Sequence, residues 1–110
     1  MSYHKYKECI EACLKCAALC NHCASCCLKE SNVQDMTQCV QLDMECATIC
    51  YCTAQLMSLG SSQVMELCTI CADICDACGT ECAKHDNNHC QECAESCTQC
   101  AKICREMNNR

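Results

Sequence analysis

The sequence predicts an all-α fold: an antiparallel up-down four-helix bundle with a cysteine-lined core. Three observations point there. The chain has no proline and only two glycines, Gly60 and Gly79, so it lacks the punctuation of β-rich and loop-rich folds. Eleven alanines and many Glu, Gln, Lys and Met residues favour helix. Most of the 21 cysteines recur at steps of three and four, the period of one helical face.

The first helix is expected over about 2–28. Its seam is Cys9, Cys13, Cys16, Cys20, Cys23 and Cys27, with Cys26 beside it. A polar break at Lys29-Glu30-Ser31 follows. Ser31 with Gln34 forms a capping-box signal for a second helix, over about 32–59. That seam is sparser: Met36, Cys39, Asp43, Cys46, Cys50, Thr53 and Met57, with Cys52 one step off it. Gly60 suits the residue just past a helix end.

Ser61 or Ser62 can cap a third helix, over about 62–85. It carries Cys68, Cys71, Cys75, Cys78 and Cys82, and His85 takes the next step. Asp86-Asn87-Asn88 is the last break, where Asn88 with Gln91 resembles another cap. The fourth helix, over about 88–107, carries Cys90, Cys93, Cys97, Cys100 and Cys104, then Met107.

Short connections make consecutive helices antiparallel neighbours within one domain spanning 1–110. Ala17, Ala24, Ala47, Ala54, Ala72, Ala94 and Ala101 each follow a seam position, where small residues allow close helix approach. Leu14, Leu19, Leu28, Ile70, Ile74 and Ile103 sit off the seams. They are expected to seal helix pairs or to form a subunit contact.

Leu, Ile, Val and Phe together number only 15, about 14% of the chain, a level ordinarily associated with disorder. A reduced thiol packs as a small hydrophobe, so this core must be built from sulfur. The net charge is −6, with no basic patch and three tyrosines, which argues against nucleic acid as a partner. The stretch MSYHKYKECIEACLK has no apolar h-region and no twin arginine, and no segment is long enough to span a membrane. The expected location is the cytosol, where thiols stay reduced. An odd cysteine count argues against complete disulfide pairing.

Residues three or four apart on a helix have Cβ atoms about 5–6 Å apart, so two thiolates can pinch one ion. Overlapping pairs make a ladder, and four facing ladders make a tube of sulfur. Soft thiolates select Cu(I), Zn(II) or iron–sulfur clusters. Zinc wants four tetrahedral ligands, usually gathered by turns. Cu(I) is satisfied by two or three sulfurs, and bridging thiolates leave little net charge to bury. The reading is therefore multiple Cu(I) ions held by the 21 cysteines, with His85, His89 and Met36 as further ligands.

Four other readings compete. The thiols could be inert core filler. The chain could be a zinc or cadmium detoxifier of the metallothionein kind. CxxC occurs seven times, but without the βαβ context of a thiol–disulfide enzyme. A structural disulfide bundle is the fourth. No nucleophile–base pair, phosphate-cradling glycine loop or paired carboxylates appear, so the chain reads as a non-enzyme.

The pattern CxxxCxxCxxxCxxCxxxC over 9–27, repeated as CxxCxxxCxxCxxxC over 68–82 and 90–104, resembles the bacterial four-helix-bundle copper storage proteins. The resemblance covers essentially the whole chain. It implies many Cu(I) ions along the inside of the bundle and a homotetramer. It also implies the cytosolic type, since no twin-arginine signal is present. Asp43 and Thr53 depart from it, standing where a uniform ladder has thiols. Asp43 is either an oxygen ligand or a carboxylate bonded to a neighbouring helix.

In such a bundle the first and third breaks share one end. Cys26, Cys27, Met36, Cys39, Cys82, His85, His89 and Cys90 gather there. Ile10, Leu56, Met57, Leu59, Val64, Met65, Leu67 and Met107 plug the other. Copper is expected to pass through the His85/His89/Met36 end, toward a copper chaperone or a small chelating thiol. The bland alternatives are loop-end capping for the histidines and helix-start packing for Met36. His4 and His22 are expected at the surface with no role.

Overall fold

A periodic thiol stripe needs a helix to face one way, and helices are what form. The computed structural model describes residues 2–108, all helix, turn or short connection. The elements are α1 (Ser2–Lys5), α2 (Lys7–Cys27), a 3-10 turn (Val33–Asp35), α3 (Thr37–Leu59), α4 (Val64–Ala83) and α5 (Asn88–Met107).

α2 packs beside α3 and α5, and α4 beside the same two, so the four long helices close a ring. Cys9 at the start of α2 lies against Cys104 near the end of α5, while Cys27 lies against Cys90. Cys39 at the start of α3 meets Cys82 at the end of α4. The neighbours are therefore antiparallel. The principal extents, 47 × 20 × 18 Å, are those of a narrow rod. The alanines that follow seam positions are all buried, which lets the thiol stripes meet at the axis.

The helix ends differ from expectation in instructive ways. Chain 2–28 is not one helix: Tyr6 interrupts it, and α1 packs on α3. Ser31 caps nothing; the amides of Asp35 and Met36 bond to the carbonyls of Asn32 and Val33, both at 2.9 Å. Backbone partners have replaced the hydroxyl, and α3 starts at Thr37. Gly60 does end α3, at φ 70°, with Ser61 N–H to Leu56 O and Gly60 N–H to Met57 O.

Ser61 Oγ accepts the Gln63 amide at 3.0 Å, and α4 then begins at Val64. It stops at Ala83, short of His85. Gln91 does not cap its own helix. Its amide donates to His85 O at 2.6 Å and Ala83 O at 3.3 Å, tying the end of α4 to the start of α5.

Of the off-seam apolar residues, Ile103 is buried and Leu19 and Ile74 are half-buried, sealing helix pairs. Leu14, Leu28 and Ile70 are exposed.

Candidate metal centre

All 21 cysteines are free thiols, and all but Cys26 and Cys52 are buried. Their sulfurs form continuous rungs along the axis. From one end these include Cys9–Cys104 at 3.7 Å, Cys13–Cys100 at 3.8 Å and Cys50–Cys71 at 3.7 Å. They continue through Cys46–Cys75 at 3.5 Å, Cys20–Cys93 at 3.7 Å, Cys39–Cys82 at 3.4 Å and Cys23–Cys90 at 3.8 Å. Along each helix the i,i+4 sulfurs lie at 3.8–4.0 Å, as in Cys16–Cys20 and Cys23–Cys27.

Several sets of four sulfurs lie within 4.8 Å of one another, each able to surround an ion. Cys16, Cys46, Cys50 and Cys75 form one; Cys16, Cys20, Cys46 and Cys97 form the next; Cys20, Cys78, Cys93 and Cys97 follow. Adjacent sets share members. Shared corners suit ions that accept bridging thiolates and two or three ligands each. Isolated tetrahedral sites would each need four sulfurs of their own.

Asp43 is fully buried within the ladder. Its Oδ1 accepts S–H bonds from Cys78 at 3.2 Å and from Cys82 and Cys93 at 3.3 Å. The carboxyl therefore bonds to thiols of α4 and α5, the second of the two readings above. Burial, then the surrounding thiols, pushes its pKa up to about 10, so it carries its proton at neutral pH. Thr53 is equally buried, and its hydroxyl has no partner.

At the end formed by the first and third breaks, His89 is the pivot. Its Nδ1 lies 3.5 Å from the sulfurs of Cys23 and Cys90 and 3.9 Å from that of Cys27. Its Nε2 lies 3.2 Å from Glu30 Oε1. A carboxylate only accepts, so Nε2 donates and the Nδ1 lone pair faces the thiols. This is how metal-binding histidines are commonly oriented. His85 bonds Glu81 at 3.1 Å, and Met36 is fully buried. Burial raises the thiol pKa of Cys90 to about 11 and raises that of Cys27 as well, so both are neutral thiols.

Two predicted ligands fall outside the ladder. Cys52 is exposed and lines an outer apolar groove with Met44, Ile49 and Ile74. Its position one step off the seam turns it outward. Cys26 is half-buried on the outer face of α2, its sulfur 3.6 Å from His22 Nε2. For His22, which the sequence reading leaves at the surface with no role, the i,i+4 spacing to Cys26 is the one signal of this contact. At the opposite end Ile10, Met57, Val64 and Met107 are buried and Leu56 and Leu67 half-buried, whereas Leu59 and Met65 are exposed.

The family model described as Csp, copper storage protein, matches residues 2–109. The cysteine-rich protein YhjQ of Bacillus subtilis is 52% identical over 91 residues, 82% of this chain and 84% of its own. The Cu(I)-bound copper storage protein BsCsp3 superposes with a TM-score of 0.91 at 50% identity, covering 94% of this chain and 97% of its own. A cytosolic copper storage protein of Streptomyces lividans, loaded with five coppers, gives a TM-score of 0.94 at 38% identity, over 99% and 96%. Sequence and fold agree along nearly the whole length: the chain belongs to the copper storage protein family.

Proposed function

We propose that this chain is a cytosolic, non-catalytic store and buffer for many Cu(I) ions. The observation that carries the reading is the buried thiol ladder with overlapping four-sulfur sets. A store needs many similar sites, and shared corners supply them. Burial keeps the bound ion from water and oxidants, and neutral thiols release their protons as copper binds. The Cu(I)-bound relative and the cytosolic relative carrying five coppers support the same reading.

The ligands are the buried cysteines, with His85, His89 and the buried Met36 at the end through which copper enters and leaves. At the far end Ile10, Met57, Val64 and Met107 block passage. Transfer runs by ligand exchange with a copper chaperone or a small thiol. Copies of the chain associate as a homotetramer through exposed apolar side chains such as Leu14 and Ile70. No helix among the described residues is long and apolar enough to cross a membrane.

Anaerobic Cu(I) titration against a strong chromophoric chelator, with metal analysis of the isolated protein, tests the reading. Many equivalents should bind, displacing any zinc. Zinc that resists displacement would favour the metallothionein-like reading, and a free-thiol count near zero would favour a disulfide bundle.

A further inference from the structure

We propose that His22 and Cys26 form an external Cu(I)-docking pair on the side of the bundle, passing the ion through His89 to Cys23, Cys27 and Cys90. The proposal rests on the copper-storage reading and adds a site to it.

The pair stands apart from the ladder. His22 is exposed and Cys26 half-buried, one turn apart on the outer face of α2. Cys26 Sγ lies 3.6 Å from Nε2 and 3.9 Å from Nδ1 of His22. Metal bonds of about 2.0–2.3 Å to thiolate and imidazole place the two donors about 3–4.5 Å apart around one ion. The separations fall in that range, a turn of the exposed His22 ring aims one nitrogen lone pair at the ion, and two soft ligands suffice for Cu(I).

Location gives the pair its role. His22, Cys26 and His89 line one open surface recess of about 1000 Å³, together with Glu92 and Glu95. The two carboxylates set a negative field that draws in a cation. His89 reaches both sides: it lines the recess, while its Nδ1 faces Cys23, Cys27 and Cys90. At the axial mouth Met36 is fully buried, and His85 bonds Glu81 as His89 bonds Glu30. His22, which is exposed, and Cys26, which is half-buried, put a soft ligand pair on the flank.

The exchange balances without redox change. Cu(I) arrives on a donor thiolate; Cys26 gives its thiol proton to that departing thiolate as its own Cu–S bond forms. When Cys23 or Cys27 takes the ion, its thiol proton returns to Cys26. Copper remains Cu(I) throughout. One thiolate and one imidazole hold the ion less firmly than several thiolates, so the transfer runs inward.

The test is stopped-flow uptake of one equivalent of Cu(I) from a weak chromophoric chelate, anaerobically, by the full chain. Cys26→Ser and His22→Ala should each slow the first phase by about tenfold or more, while Ser25→Ala on the same surface should not. Capacity at saturation should fall by one ion at most. Parent-like uptake in both variants would overturn the docking site. A parent protein that binds no Cu(I) would instead overturn the storage reading.

Discussion

Glu30 and His89 meet at 3.2 Å between Oε1 and Nε2, joining the turn after α2 to the first residues of α5. The contact selects the imidazole tautomer whose lone pair faces three thiols. Glu30→Gln removes that selection, because an amide can donate as well as accept. The expected result is about tenfold weaker binding of the first copper equivalents, with later equivalents unaffected. Chelator competition at substoichiometric Cu(I) measures it. Equal affinity in the variant would mean that His89 takes no part in loading.

Asp43 makes the metal-free protein sensitive to pH. Its folded pKa of about 10 lies far above the ordinary carboxyl value of about 3.9. Between these values the folded state holds a proton that the unfolded state has released. Stability from this group is therefore complete below about pH 4 and is lost as pH rises toward 10, by up to about 1.4 kcal/mol per unit. Asp43→Asn keeps the shape and cannot titrate. Urea unfolding of reduced apoprotein at several pH values should show a flatter dependence in the variant. An unchanged slope would place the titration elsewhere.

Sulfurs inside and outside the ladder should differ in what they hold. Cys97 lies 3.8 Å from Cys16 and Cys20, 3.9 Å from Cys46 and 4.0 Å from Cys93. It belongs to at least two of the four-sulfur sets. Cys97→Ser should lower the Cu(I) count by about one or two ions, since shared corners let neighbours compensate in part. Cys52→Ser should leave the count unchanged. Native mass spectrometry of anaerobically loaded protein reads both. A loss in Cys52→Ser equal to that in Cys97→Ser would contradict the geometry.

The bundle and its sulfur interior were legible because one residue type marks the helical period almost without interruption. Seam positions such as Cys68 to Cys82 could only face one way once helical. Helix ends were less legible. Ser31 has the right neighbours for a cap, but a 3-10 turn offers the same amides backbone partners, and local sequence does not rank the two. The role of Gln91 depends on a carbonyl of the preceding helix, which only tertiary packing supplies. The contacts of Glu30 and His22 were not legible, because their partners lie across a break or on the outer face, where no repeat points to them.

Gly79 shows how packing constrains the ladder at a position the cysteine period does not mark. It lies within α4, where alanine would ordinarily gain about 0.5–1 kcal/mol of helix stability. A Cβ built there would stand 3.2 Å from Cys97 Cβ and 3.4 Å from the carbonyl oxygen of Ala94 on α5. Neither atom can rotate away, since one is fixed by backbone geometry and the other is backbone. α5 must shift by a few tenths of an ångström, and Cys97 moves with it, away from Cys20 and Cys16. Overpacking of this kind costs about 1–3 kcal/mol, which exceeds the helix gain. Gly79→Ala should therefore destabilise the apoprotein by about 1 kcal/mol, lowering Tm by about 4 °C. Thermal unfolding of reduced apoprotein checks the sign. A rise in Tm would mean that α5 yields freely and that close α4–α5 contact does not fix the position of Cys97.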